Sequence, residues 1–148
     1  MPITFDFLML PESDEAMTAR TLVFDLDGTL VDSVPDLAAA LNHLMAARGL
    51  AAFSLPEVTG FVGDGVAALV QRAFAARGVA QDAAALVAFN ADYNAHAADR
   101  TIPFPDVPET LALLAAGGWR MAVCTNKPEA PARSLLADLG LAQFFAAV

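Results

Sequence analysis

The stretch Thr21-Leu22-Val23-Phe24-Asp25-Leu26-Asp27-Gly28-Thr29 decides the reading of this chain. Its first four residues make an apolar, strand-forming run that stops at an Asp-Leu-Asp-Gly turn, the pattern of a buried parallel strand. Open α/β sheets bind ligands at the carboxyl ends of their strands, so two carboxylates arriving directly after such a strand stand where chemistry is done. Alternate residues of an extended chain point the same way, which lets Asp25 and Asp27 face one site. Two neighbouring carboxylates repel unless a cation or a proton lies between them, and Mg²⁺ suits that place because it takes one or two carboxylates with waters and phosphate oxygens. A bare Asp-Gly pair more often marks a simple chain reversal. The apolar strand before it and the whole string after it favour the functional reading.

Outward from this stretch the pattern turns helical. Leu37, Leu41 and Leu44 recur at helical spacing after Pro35, with Gly49 as the stop, and further helices are expected over residues 55–61, 66–77 and 82–98. No strand is expected within this stretch. Pro103, Pro105 and Pro108 mark a linker, residues 109–116 read as a helix ended by Gly117-Gly118, and residues 119–124 read as a second core strand. A helix over 129–139 and the start of a third strand at 144–148 complete the chain. The order predicts an α/β core, residues 17–33 and 104–148, interrupted by an all-helical insertion, residues 34–103. Residues 1–16, with one apolar patch at 5–10, read as an extension: an upstream start or a cloning remnant, with an added edge strand as the alternative.

Val123-Cys124-Thr125-Asn126-Lys127-Pro128 is the second landmark. A strand ends in a hydroxyl residue just before a helix, where the Thr125 hydroxyl and backbone N–H groups can donate to a phosphoryl oxygen. Alone, a Thr-Asn pair there is commonly an N-cap. With the acidic string upstream, the phosphate reading is preferred.

The string Phe24-Asp25-Leu26-Asp27-Gly28-Thr29-Leu30-Val31-Asp32-Ser33 matches the first motif of the haloacid dehalogenase superfamily, which the chain resembles over nearly all of residues 17–148. Thr-Asn-Lys-Pro is typical of its phosphoglycolate-phosphatase-like members. The resemblance implies a Rossmann-like α/β core with a parallel sheet and an inserted helical cap. It further implies a Mg²⁺-dependent phosphomonoesterase acting on a small phosphorylated metabolite, with 2-phosphoglycolate the leading candidate. It gives Asp25 the role of nucleophile, forming an aspartyl-phosphate, and Asp27 that of the acid and base. The Asp25 side chain and the Asp27 backbone carbonyl would bind Mg²⁺, and Thr125, Asn126 and Gly28 the phosphate. Members that cleave carbon–halogen bonds typically lack the acid at the Asp27 position, so phosphoryl transfer is the better reading. The alternatives are another phosphatase or a phosphomutase of the same cap type, or a non-catalytic fragment or interaction module.

Three further residues are possible substrate contacts. Asp64 lies in Gly63-Asp64-Gly65, which resembles the cap loop pointed at substrate and reads equally as an interhelical turn. Arg72 can meet a substrate carboxylate, although a surface helix role is the commoner one. Lys127 either approaches substrate or is a solvated helix-start cation.

Composition narrows the partners. Eight basic residues against 17 acidic ones leave a net charge of −9, so nucleic acid is not expected as a partner. Much of the 57% apolar content is alanine, and no apolar run reaches the roughly 20 residues that span a bilayer, so neither is a membrane. The single cysteine, Cys124, allows no intrachain disulfide, and cytoplasm is the expected location. Alternation along its strand predicts a packed Cys124 thiol turned away from the site. His43 and His96 have no partners at ligand spacing and read as surface residues.

Only the first two of four family motifs are matched. The third would supply a Lys and the fourth further acidic residues for the metal; Lys127 lies too close to the second motif to be the third. The chain is therefore expected to be a fragment whose first strand is an open edge, with homo-oligomerisation through that edge as one outcome. Each missing charge stabiliser typically costs on the order of 10²-fold or more. Weak turnover is the expected outcome, and phosphate release at the rates of intact family members would overturn it.

Overall fold

A computed structural model describes residues 20–148, so the 1–16 extension lies outside the described residues. Strand β1 (Thr21–Phe24) leads into a tight turn in which the Leu26 carbonyl accepts the N–H groups of Thr29, Leu30 and Val31 at 2.9–3.3 Å. The two-residue β2 (Val31–Asp32) follows, then α1 (Val34–Ala46), whose second residue, Pro35, sits where a helix leaves N–H groups unpaired anyway. Next come α2 (Leu55–Thr59), opened by a capping box between Ser54 and Glu57, α3 (Val66–Ala76) and α4 (Ala85–His96). The chain returns through β3 (Ile102–Pro103), α5 (Val107–Ala116), β4 (Arg120–Val123), α6 (Glu129–Asp138) and a 3-10 turn at Ala142–Phe144.

Two separate clusters of buried side chains follow from the apolar stripes. Leu41, Met45, Val58, Leu69, Phe74 and Phe89 close the four helices α1–α4 around one core. Leu26, Val31, Leu111, Met121, Leu135 and Leu141 form the other, beneath the sheet. The mixed α/β architecture is the one expected, and the expected leucines Leu37, Leu41 and Leu44 are all buried on α1.

β1 pairs in parallel with β4, with Phe24 opposite Val123. The expected third strand is present as a single parallel bridge from Ala147 to Ala122, held by Ala146 N–H to Met121 O (2.8 Å) and Val123 N–H to Ala147 O (2.9 Å). One expectation needs correction: β1 is not buried on both faces. Leu22 and Phe24 are half-buried while Val23 is 62% exposed, because among the described residues no element packs on that face.

The chain enters and leaves the helical insertion through a feature the sequence did not reveal. β2 and β3 form an antiparallel ladder, Val31 opposite Pro103 and Asp32 opposite Ile102. Two residues are too few to show a strand period, and Pro103 reads as linker. Beside the ladder, Asp36 is only 3% exposed, and its Oδ2 accepts the N–H of Arg100 (3.0 Å), the N–H of Thr101 (2.7 Å) and the Thr101 hydroxyl (2.8 Å). One carboxylate in the first turn of α1 thus ties together both crossings between insertion and core.

Asp36→Ala leaves these buried donors without their charged acceptor, and hydrogen bonds to charged groups contribute about 1.5–3 kcal/mol. A loss of at least ~2 kcal/mol in urea unfolding is expected, with Asp36→Asn losing less. A change below ~0.5 kcal/mol for the alanine variant would show that the tie is dispensable.

Candidate active site

The carboxyl ends of β1 and β4 lie level, with the Cys124 N–H donating to the Phe24 carbonyl at 2.8 Å. That places the residues just after each strand, Asp25 and Thr125, side by side at the rim of one cleft. Between the two acids, the fully buried Leu26 side chain roots the turn in the lower core, and both carboxylates line the cleft. The Asp25 carboxylate also accepts the Leu26 N–H (2.7 Å), which limits its rotation. Thr125, Asn126 and Lys127 complete the core side; Leu37, Val62, Val66 and Leu69 of the helical unit form an apolar roof.

Lys127 is the residue whose placement clarifies most. Its ammonium sits 3.3 Å from both oxygens of Asp27 and donates at 2.7 Å to the Tyr93 hydroxyl. It also lies 4.6 Å from the centre of the Tyr93 ring, within cation–π range. Its side chain is 4% exposed, so the solvated-cation reading is excluded. Burial pushes the Lys127 pKa down, opposed by the charge and hydrogen bond of Asp27. The Tyr93 phenol is pushed well up by burial, helped by the charges of Asp27 and Asp36 and opposed by the Ser33 hydroxyl.

The other expected residues divide. Thr125 and Asn126 line the cleft; the Thr125 hydroxyl oxygen accepts the Lys127 N–H (3.2 Å), and the Asn126 amide donates to the Gly63 carbonyl (3.1 Å). The Gly63–Gly65 loop thus meets the core across the cleft. Gly28 does not fit its expected phosphate role. Its N–H is taken by the Val31 carbonyl (2.9 Å), and its φ of +81° identifies it as a turn residue. Asp64 and Arg72 form an ion pair with each other, Arg72 also donates to the Phe61 carbonyl (2.9 Å), and neither lines the cleft. They brace the loop instead. Cys124, the residue immediately after β4, is exposed rather than packed. On the outer surface of the helices His43 lies 2.9 Å from the Asp92 carboxylate, and His96 lies 2.8 Å from the Asp92 backbone carbonyl and 3.7 Å from its carboxylate.

Tyr93 was missed. It is the chain's one tyrosine and falls on the buried Ala85, Phe89, Tyr93 stripe of α4. A phenol on an apolar helix face needs a hydrogen-bonding partner, and that is the signal that could have drawn attention to it.

A metal ion would find few side chains here. Among the described residues no group of three or more His, Cys, Asp or Glu is arranged to hold one. The Asp25 carboxylate and the Asp27 carbonyl, which accepts no hydrogen bond among the described residues, nonetheless form an all-oxygen pair suited to Mg²⁺, an ion that keeps several waters.

Comparison with known proteins gives the chemistry a context. A family model described as haloacid dehalogenase-like hydrolase matches residues 19–148. The phosphoglycolate phosphatase of Cereibacter sphaeroides is 47% identical over 131 residues, covering 86% of this chain and 60% of the relative. A crystal structure of a predicted phosphoglycolate phosphatase from Haemophilus somnus 129PT superposes with a TM-score of 0.77 at 30% identity, covering 89% of this chain and 63% of that one. Protein tyrosine kinase A of Mycobacterium tuberculosis superposes with a TM-score of 0.74 at 31% identity, covering 89% and 60%. The chain therefore spans about 60% of the length of these relatives.

The turn role of Gly28 is open to a direct check. A Cβ there meets nothing within 4 Å, so only the backbone resists substitution. Gly28→Ala is expected to cost ~1–2 kcal/mol, and Gly28→Asn, which tolerates this conformation, clearly less. Neither is expected to weaken binding of inorganic phosphate; a selective loss of phosphate affinity with unchanged stability would restore the phosphate role.

Proposed function

Since this chain belongs to the haloacid dehalogenase-like hydrolases, we propose that its cleft carries out phosphoryl transfer to Asp25 as a phosphomonoesterase acting on a small phosphorylated acid, 2-phosphoglycolate first among them. The observation that carries this reading is the shared cleft of Asp25, Asp27, Thr125 and Asn126 at the ends of two parallel strands.

In the first step an Asp25 oxygen attacks phosphorus, and the phosphorus–oxygen bond to the alcohol breaks as Asp27 passes a proton to the leaving oxygen. In the second step Asp27 takes a proton from water, which attacks the aspartyl-phosphate and frees Asp25 and inorganic phosphate. The Thr125 hydroxyl, with the N–H groups before α6, donates to the phosphoryl oxygens. Lys127, the one cation among the cleft-lining residues described, holds Asp27 in place and leaves the pocket less negative than its two aspartates alone would make it. The roof of Leu37, Val62, Val66 and Leu69 keeps bulk water away from the reacting group and leaves room for the one water that the second step consumes. Mg²⁺, held by the Asp25 carboxylate and the Asp27 carbonyl, would supply charge neutralisation at the phosphoryl oxygens when bound.

Two measurements test the reading. With Mg²⁺ the chain is expected to release phosphate from 2-phosphoglycolate in preference to phosphorylated sugars and nucleotides, with Asp25→Asn reduced to background. Asp27→Asn is expected to lose ~10²-fold or more, the usual contribution of general acid–base catalysis. Beryllium fluoride with Mg²⁺ mimics an acyl phosphate on a free carboxylate, so a bound fluorine resonance is expected in the wild type and not in Asp25→Asn. Absence of that resonance together with absence of turnover on every ester would sink the proposal.

A further inference from the structure

Among the described residues lining the cleft, two core side chains reach across to the insertion: the Asn126 amide meets the Gly63–Gly65 loop, and the Lys127 ammonium meets a buried side chain of an insertion helix. It donates to both Asp27 oxygens at 3.3 Å and to the Tyr93 hydroxyl at 2.7 Å, with Tyr93 2% exposed and outside the cleft. Tyr93 belongs to α4, anchored in the upper core by Phe89, with which its ring stacks at 5.8 Å. The Asp27 end belongs to the lower core, through the neighbouring Leu26. The three groups therefore bridge two separately packed units, and a lysine has three protons to share among them.

We propose that Tyr93 is a positioning residue for the cleft: its hydroxyl aims the Lys127 ammonium at Asp27, so that the carboxylate is held only while the helical insertion is seated on the core. The inference rests on the phosphoryl-transfer reading for its catalytic consequence and on geometry alone for the contact. Lys127 has a long, flexible side chain whose orientation costs conformational entropy unless something fixes it. A second fastener, Asn126 to Gly63, lies on the same seam. When the insertion lifts, Tyr93 leaves, Lys127 is released to solvent, and Asp27 loses the donor that orients it. An open cleft then holds its acid–base group loosely, and a closed one holds it ready.

The test uses the full chain with Tyr93→Phe, which keeps the ring and its packing and removes only the oxygen. With lysine side chains labelled for NMR, the wild-type Lys127 ammonium is expected to show slow proton exchange. In Tyr93→Phe that exchange is expected to speed up about tenfold, and amide exchange at Gly63, Gly65 and Asn126 to rise with it. Turnover of 2-phosphoglycolate is expected to fall about tenfold in kcat with KM within about twofold, part of the 10²–10⁴-fold that a fully lost acid–base group costs. Val87→Ala, on the exposed side of the same helix, is expected to change none of these. Unchanged Lys127 exchange in Tyr93→Phe, or equal changes in Val87→Ala, would overturn the inference. If Tyr93→Phe does not fold, Lys127→Met must loosen the same amides in a folded chain, and failure to do so overturns it equally. A wild type that turns over no ester defeats the phosphatase reading, while the exchange measurements still decide the role of Tyr93.

Discussion

The arrangement depends on holding two carboxylates at the end of one strand without letting their repulsion open the turn. Three elements contribute. Leu26, between them in sequence, is fully buried and roots the turn in the lower core. The Leu26 carbonyl collects the next turn's N–H groups, so the backbone after Asp25 curls tightly instead of extending. Lys127 then brings a positive charge to Asp27 from the loop that follows the neighbouring strand. In water an ion pair of this kind is worth little, but with the lysine side chain 4% exposed there is little solvent to screen it. The sequence suggested a divalent ion as the answer to the repulsion; in the structure a protein cation already answers part of it. An ion bound beside Asp25 would therefore share the task with Lys127.

The same economy governs how insertion and core are joined. The two units have separate buried clusters and meet through polar contacts: the two-residue β2–β3 ladder, the Asp36 tie to Arg100 and Thr101, the Asn126–Gly63 hydrogen bond and the Tyr93–Lys127–Asp27 bridge. Apolar surfaces pressed together resist motion through their area, whereas a few directional contacts can release as a set. The ladder and Asp36 lie where the chain crosses. Lys127 and Asn126 line the cleft, and Tyr93 backs Lys127 from α4. Under the inference drawn above, the first set would act as a hinge and the second would part to admit a ligand.

Much of this was legible in the residues. The acidic string, the leucine stripe of α1, the glycine stops and the hydroxyl before α6 each carry a local reason to be where they are, and each is found there. What could not be read depends on residues far apart in sequence. Lys127 could be solvated or buried until α4 was placed over it, and Arg72 could reach the cleft until Asp64 was seen to hold it. β1 is less buried than its apolar run suggests because such a run reports what a strand can tolerate, not how many neighbours cover it, and Val23 stands exposed. Cys124 failed for the same reason, since alternation gives the side of the sheet but not whether that side is covered.

Fold alone does not choose the chemistry. Two structures that superpose on this chain equally well carry names as different as phosphoglycolate phosphatase and tyrosine kinase. Under the reading proposed here, selection must come from what the helical unit adds to the cleft, and that contribution is one-sided. Leu37, Val62, Val66 and Leu69 offer no hydrogen bond, and the Gly63–Gly65 loop offers mainly backbone. A roof of that character cannot reward a sugar or a base for its hydroxyls and amides, and it makes their burial costly, since unpaired polar groups in an apolar site lose their water. A short substrate whose polarity is concentrated in groups that Thr125, Asn126 and the N–H groups before α6 can reach escapes that cost. The apolar roof and the single bridging cation therefore point the same way, toward compact anionic esters over larger polar ones.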